Sequence, residues 1–217
     1  MRLVLASASP RRAELLRAAG FTFEVYAADV EERVRPGERP REYVRRLAME
    51  KSAAALGLAG GRSVYLQADG AGPAAAGHYD DTQTTLVIGA DTAVIVDDAI
   101  LGKPADDTDS MRMLRSLRGR AHLVMTGVSV RSGTAQLDVV EETRVVFDPL
   151  SDDDVEWYVA SGEGRDKAGA YAIQGLASRF IPRIEGSYSN VVGLPVATLV
   201  RLIREMCAHL GILASDT

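Results

Sequence analysis

The 217-residue chain is 47% hydrophobic and 25% charged, the balance of a globular protein long enough for one sizeable core. Its formal net charge of −5 excludes a whole-chain basic field for nucleic acid or an anionic membrane, so an anion site has to be local. A single cysteine, Cys207, excludes an intrachain disulfide framework and fits a reducing cytoplasm, and no apolar run is long enough to cross a bilayer.

Residues 3–16 read as a short apolar strand, a turn containing Ser7 and Ser9, and a helix opened by Pro10 and closed by Gly20. The brief apolar start meets charge again at Arg11, so it does not read as a signal peptide. Arg11 and Arg12 oppose the positive end of the helix dipole. They suit a phosphate or polyphosphate bound at the turn, or else they are two solvated arginines. Residues 22–28 alternate as a strand, followed by the acidic Asp29-Val30-Glu31-Glu32, either a ligand-binding cluster at a strand end or a solvated loop. A helix spans residues 40–58, with Val44, Leu47, Ala48, Ala55 and Leu58 on one stripe. Lys51 falls on that stripe, where it either snorkels or serves a site.

Residues 57–85 are rich in glycine and alanine without periodicity and read as a flexible insertion. His78 with Asp80 and Asp81 there could bind a metal, though a solvated loop is the commoner reading. The next strand is of the buried type and ends on Asp91-Thr92; the apolar run resumes to Val96, turns at Asp97-Asp98, and returns to Gly102-Lys103-Pro104. A carboxylate inside an apolar strand needs a partner or a metal, which makes Asp91 the strongest functional residue. A short helix follows over 108–117, with Met111 and Met113 as core filler. Residues 122–131 and 135–148 form a hairpin around Ser132-Gly133, with His122 as a satisfied core histidine. Ser151 caps a helix to Ala160 whose first-turn acids suit the dipole. A glycine-punctuated segment then carries Asp166, Lys167 and Gln174. A strand over 180–184, a loop over 188–193 and a last helix from Pro195 to Leu210, with Cys207 packed in it, complete the chain.

Arg11, Arg12, Glu32, Lys51, Asp91 and Lys103 are the polar residues that structure alone explains badly. Their four cations match the charge of about −4 on a nucleoside triphosphate, and Glu32 with Asp91 could hold Mg²⁺ on it. No P-loop, dinucleotide fingerprint, zinc-protease motif or nucleophile elbow is present, and the serines lack a persuasive histidine partner.

Residues 7–16, Gly89-Ala90-Asp91-Thr92, Gly102-Lys103-Pro104, residues 122–127, 166–175 and 186–195 resemble, in order, the motifs of the Maf family. The resemblance implies a mixed α/β fold similar to the inosine triphosphatase group, with a twisted sheet, flanking helices and a site in a cleft between two lobes. It implies one domain over residues 1–213, with the insertion at 57–85 and a short tail at 214–217. The implied activity is nucleoside triphosphate pyrophosphatase, cutting the α–β phosphoanhydride to a monophosphate and pyrophosphate with Mg²⁺ or Mn²⁺. Residues 167–175, with Gln174, resemble the dTTP/UTP subfamily rather than the one that prefers 7-methyl-GTP and carries Glu at that position. Asp91, Glu32, Lys51 and Lys103 would then be catalytic. Ser7, Arg11, Arg12, Thr92 and Gln174 would bind substrate, Gln174 at a pyrimidine edge. Glu32 and Asp91 would take the metal. The resemblance also implies a cytoplasmic homodimer that binds no nucleic-acid polymer and no membrane. The other reading is a nucleotide-binding regulator of septum formation with little turnover.

Overall fold

The computed structural model describes residues 1–59 and 84–212; most of the predicted insertion, with His78, Asp80 and Asp81, and the tail from 213 lie outside them. Among the described residues, seven strands form a mixed, open sheet flanked by six α-helices. The strands are β1 (Arg2–Ala6), β2 (Glu24–Val25), β3 (Thr85–Val96), β4 (Ala99–Leu101), β5 (Ala121–Ser132), β6 (Ala135–Val146) and β7 (Arg183–Glu185). The helices are α1 (Pro10–Ala18), α2 (Pro40–Ala59), α3 (Asp107–Leu117), α4 (Asp152–Ala160), α5 (Tyr188–Val192) and α6 (Val196–His209). Strand order is β2-β1-β3-β5-β6-β7, with β1 parallel to β2 and β3 and the rest antiparallel. Among the described residues no helix is long and apolar enough to cross a membrane.

The helix starts follow the caps. Asp106 accepts from the Asp109 amide at 2.8 Å to open α3, and Ser151 with Asp154 makes a full capping box on α4. Ser9 holds the N-cap position of α1 but makes no side-chain cap bond. Residues 22–28 shorten to the two-residue β2, because at Tyr26 the chain makes one last bond to the Leu5 carbonyl and leaves for the cleft. The strand expected over 180–184 is displaced to Arg183–Glu185, since Phe180 instead ends a 3₁₀ turn, Leu176–Phe180, and packs on Tyr158. The loop expected over 188–193 contains α5. A single turn has no periodicity to read, and tertiary bonds hold it: Asn190 Nδ2 donates to the Val124 carbonyl at 3.0 Å and to Thr143 Oγ1 at 2.9 Å.

The most consequential correction concerns Asp91. It does not end a strand but sits in the middle of β3, which pairs without a break with β5 from Val87 to Ile95. The other edge of β3 has two successive neighbours. β1 pairs through Gly89, and β4 pairs from Val94 on. Ala90, Asp91, Thr92 and Ala93 therefore face a gap in the sheet edge, where β1 turns away at Ser7 and β4 has not begun.

The apolar core divides at the same level on both faces. Above the sheet, Leu86, Ile88 and Ala90 pack with Leu5, Leu16 and α6, whereas Val94 and Val96 pack with Leu114, Phe147 and Tyr158. Below it, Val87 packs with Ala55 and Tyr26, whereas Ala93 and Ile95 pack with Val44 and Leu47. The two lobes of the molecule are these divided cores, and polar side chains fill the seam.

Two glycines set how closely α2 lies on the sheet. A Cβ on Gly89 would fall 2.1 Å from the Ala48 carbonyl oxygen, and one on Gly127 would fall 2.2 Å from that of Val44. Neither carbonyl can yield without lifting the whole of α2. Gly127→Ala should therefore cost about 3 kcal/mol in urea unfolding, at the upper end for overpacking. A loss under about 1 kcal/mol would show that α2 does not rest on this residue.

His122 is buried, as expected of a core histidine, but it is only half satisfied. Its Nε2 lies 2.8 Å from the Tyr171 hydroxyl, while Nδ1 has no partner, and Phe147 and Tyr171 meet its ring edge-on. Burial lowers its pKa to about 4 from 6.5. A depressed histidine contributes stability above the unfolded value that is lost as pH falls, here between about 6.5 and 4. The loss should reach about 3 kcal/mol at pH 4, and the Tm-against-pH curve of His122→Phe should be flatter across that window. Parallel curves would remove His122 as the cause.

Candidate active site

The gap in the edge of β3 opens into a cleft of about 340 Å³, lined by residues from both faces of the sheet. Asp91 points to the α2 face, next in line after Gly89, and is 7% exposed. Because Ala48 and Ser52 lie directly on Gly89, Lys51 in the same helical turn reaches the strand. Its Nζ donates to Asp91 Oδ1 and to Glu32 Oε1, each at 2.6 Å. Glu32 comes from the loop after β2. Its carbonyl accepts from the Tyr43 hydroxyl at 3.1 Å, which fixes that stretch of loop to α2.

The three charges behave differently because their surroundings differ. Burial raises the pKa of Asp91 against the pull of Lys51 and Arg12. Burial also works to raise that of Glu32, but Glu32 is about half exposed and the Lys51 bond and charge win, so it falls. The site thus holds one carboxylate whose affinity for a proton is raised and one whose affinity is lowered. Burial raises the Tyr43 hydroxyl to about 12, so it remains a donor.

On the opposite face, Thr92 meets Arg12. The Arg12 fork donates to the Gly193 carbonyl at 2.8 Å, to Ser7 Oγ at 3.0 Å and to Thr92 Oγ1 at 3.0 Å. Ser7, Arg12 and Thr92 are therefore a brace across the seam as well as cleft wall, and Thr126 extends the brace through Thr92 Oγ1 at 2.9 Å. Arg11 is partly exposed, with Asp166 at 3.6 Å. Lys103 is exposed just beyond β4, and Gln174 is exposed beyond a buried Tyr171-Ala172-Ile173 wall. All nine residues singled out from the sequence line this one cleft.

Tyr43, Asp166 and Lys167, to which the sequence assigns no role, also line it. Lys167 Nζ donates to Asp166 Oδ1 at 2.6 Å and to the Glu163 carbonyl at 2.7 Å. The signal for Lys167 is its place in the glycine-punctuated segment; Tyr43 lies outside the named stripe and carries none. With these included, five cations face three acids in the cleft of a protein of net charge −5, so the positive field is local.

Among the described residues no group of three or more His, Cys, Asp or Glu is placed to hold a metal. Glu32 and Asp91 nonetheless converge on one cation, the Lys51 ammonium. Two carboxylates supplemented by phosphate oxygens form the donor set that Mg²⁺ accepts. The residues present therefore fit a divalent ion that arrives with a phosphorylated ligand.

Fold and site together define a two-lobed α/β protein with a mixed-charge cleft at the interrupted edge of its central strand. The chain belongs to the Maf family: the Maf-like protein model matches residues 2–206. It is 47% identical over 210 residues to the dTTP/UTP pyrophosphatase of Shewanella oneidensis, covering 94% of this chain and 98% of that one. It is 46% identical over 203 residues to that of Vibrio parahaemolyticus (94% and 96% covered), and 45% identical over 207 residues to that of Anaeromyxobacter dehalogenans strain 2CP-1 (94% and 93% covered).

Proposed function

We propose that this protein is a dTTP/UTP pyrophosphatase, hydrolysing the α–β phosphoanhydride to a nucleoside monophosphate and pyrophosphate. The observation that carries the reading is Lys51 held 2.6 Å from both Asp91 and Glu32 inside a cleft with four further cations. The names of the relatives support the substrate class.

In this reading Glu32 and Asp91 hold a divalent ion, Mg²⁺ or Mn²⁺, with the phosphates. Such an ion, when bound by Glu32 and Asp91, would supply charge neutralisation and make a coordinated water more acidic. Asp91 orients the attacking water and accepts its proton as the new O–P bond forms, a task that suits a carboxylate with raised proton affinity. The α–β bridging oxygen leaves with pyrophosphate, whose growing charge faces Arg11, Arg12 and Lys103. Lys51 keeps the two acids apart in register and screens them from the incoming phosphates. The apolar wall around Tyr171 and Ile173 takes the base, and Gln174 offers it a donor and an acceptor.

One domain, residues 1–213, carries this activity, in a cytoplasmic homodimer; light scattering tests the assembly. The test of function is a panel of nucleoside triphosphates with Mg²⁺ and Mn²⁺, assayed for pyrophosphate and orthophosphate. Pyrophosphate from dTTP and UTP is the expected first product. Orthophosphate first would refute α–β cleavage, and nucleotide binding without release would leave a nucleotide-binding regulator.

A further inference from the structure

Gln174 lies in a tight turn, closed by a bond from the Gly175 amide to the Ala172 carbonyl at 3.1 Å. Its own amide makes no hydrogen bond to protein among the described residues, so nothing at its tip fixes it. The turn is fixed from behind. The Glu163 carboxylate accepts from the Leu176 amide at 2.9 Å, from the Tyr158 hydroxyl at 2.8 Å and, more weakly, from the Ala177 amide at 3.4 Å. The Tyr158 hydroxyl in turn accepts from the Ala172 amide at 3.1 Å. The two ends of the turn, Ala172 and Leu176, are thus tied to one carboxylate–phenol pair. Tyr158 is 1% exposed, so the pair is anchored in the core.

Gly175 is part of the same device. A Cβ there would lie 2.0 Å from Glu163 Oε1, so only glycine lets the carboxylate lie flat against the turn. Glu163 is also tied to the cleft lining, since its backbone carbonyl accepts from Lys167 Nζ at 2.7 Å. The Glu163 and Tyr158 side chains themselves stand behind the turn and outside the cleft lining.

We propose that Glu163 and Tyr158 are positioning residues for specificity, holding the turn of residues 172–176 rigid so that Gln174 meets a pyrimidine edge in one pose. The inference rests on the dTTP/UTP reading of the cleft. A hydrogen-bonding pair discriminates among bases only when its geometry is held before the base arrives. The clamp performs that service from outside the cleft.

The experiment compares wild type with Glu163→Gln, Tyr158→Phe and Gln174→Ala. It measures kcat and KM for UTP, dTTP, CTP and GTP, and amide exchange of residues 172–177 in the nucleotide-free protein. Glu163→Gln places an amide against donors, and Tyr158→Phe removes the hydroxyl that both donates and accepts. Both should speed exchange at Ala172 and Leu176 at least about tenfold and lower the preference for UTP over GTP by about tenfold, chiefly through KM for UTP. Gln174→Ala should lower the preference without changing exchange at those two amides. Faster exchange with an intact preference overturns the inference, as does an equal fall in kcat for every nucleotide. Unchanged exchange shows that the clamp does not hold the turn. If Gln174→Ala leaves the preference intact, base reading by Gln174 falls and the clamp's role falls with it. If wild type favours neither dTTP nor UTP, the functional reading itself is what fails.

Discussion

Asp91→Asn should lower kcat for pyrophosphate release by at least about 10³-fold while leaving Tm within a few degrees of wild type. The substitution keeps the shape of the side chain and keeps an oxygen to accept from Lys51, 2.6 Å away in the native protein. It removes the carboxylate proposed to take a proton from water. Stability survives because the native charge is itself a burden: burial raises the Asp91 pKa above its usual value. A carboxyl with a raised folded-state pKa favours the folded state below its unfolded pKa, and that advantage is lost as pH rises. At neutral pH the amide relieves that burden, and Lys51 keeps the half-exposed Glu32 as its charged partner. Rate and melting temperature measured on the same preparation check both halves. Turnover within tenfold of wild type would remove Asp91 from the reaction.

Lys51→Met should fail in both respects. Lys51 is 7% exposed and bonds both Glu32 and Asp91, so its removal leaves a buried carboxylate with Arg12 as its remaining nearby cation. Breaking a buried ion pair from one side costs about 3–5 kcal/mol. In a chain of this length that is roughly a 10 °C fall in Tm. The sign of the pH dependence identifies the cause. Without its ammonium, Asp91 binds a proton more tightly still, so the variant should lie nearest to wild type around pH 4 and fall furthest below it at pH 8. A deficit that does not vary with pH would mean that methionine merely packs badly. Turnover should be lost by about 10³-fold at every pH, since the two acids no longer share a fixed separation.

Much of this site was legible because its residues break local rules. A lysine on the Val44–Leu47–Ala48 stripe, an aspartate inside an apolar strand and two arginines in a first helical turn are each costly unless they meet a partner. The expectation that Asp91 closes a strand missed because backbone pairing to β5 does not sense which side chain it carries. Lys167 was passed over because a lysine next to an aspartate in a loop breaks no rule. Tyr43 lies outside the Val44–Leu47–Ala48 stripe and no motif marks it; its hydroxyl meets Glu32 only through the path of the loop. The single-turn α5 and the short β7 were displaced or missed because each is held by contacts distant in sequence rather than by its own pattern.

The sequence by itself determined the order of the long elements, the capped helices, the local character of any anion site and the set of side chains that structure could not explain. Periodicity, caps and misplaced charges are short-range signals, each readable within a few residues. Only the tertiary structure decided that these side chains form one cleft. That required β1 and β4 to share one edge of β3 with a gap between them, and α2 to rest on Gly89 and Gly127 closely enough for Lys51 to reach Asp91, 40 residues away. Strand pairing and helix-on-sheet distance are set by long-range contacts between backbones, and those leave only a bare glycine as their trace in the chain.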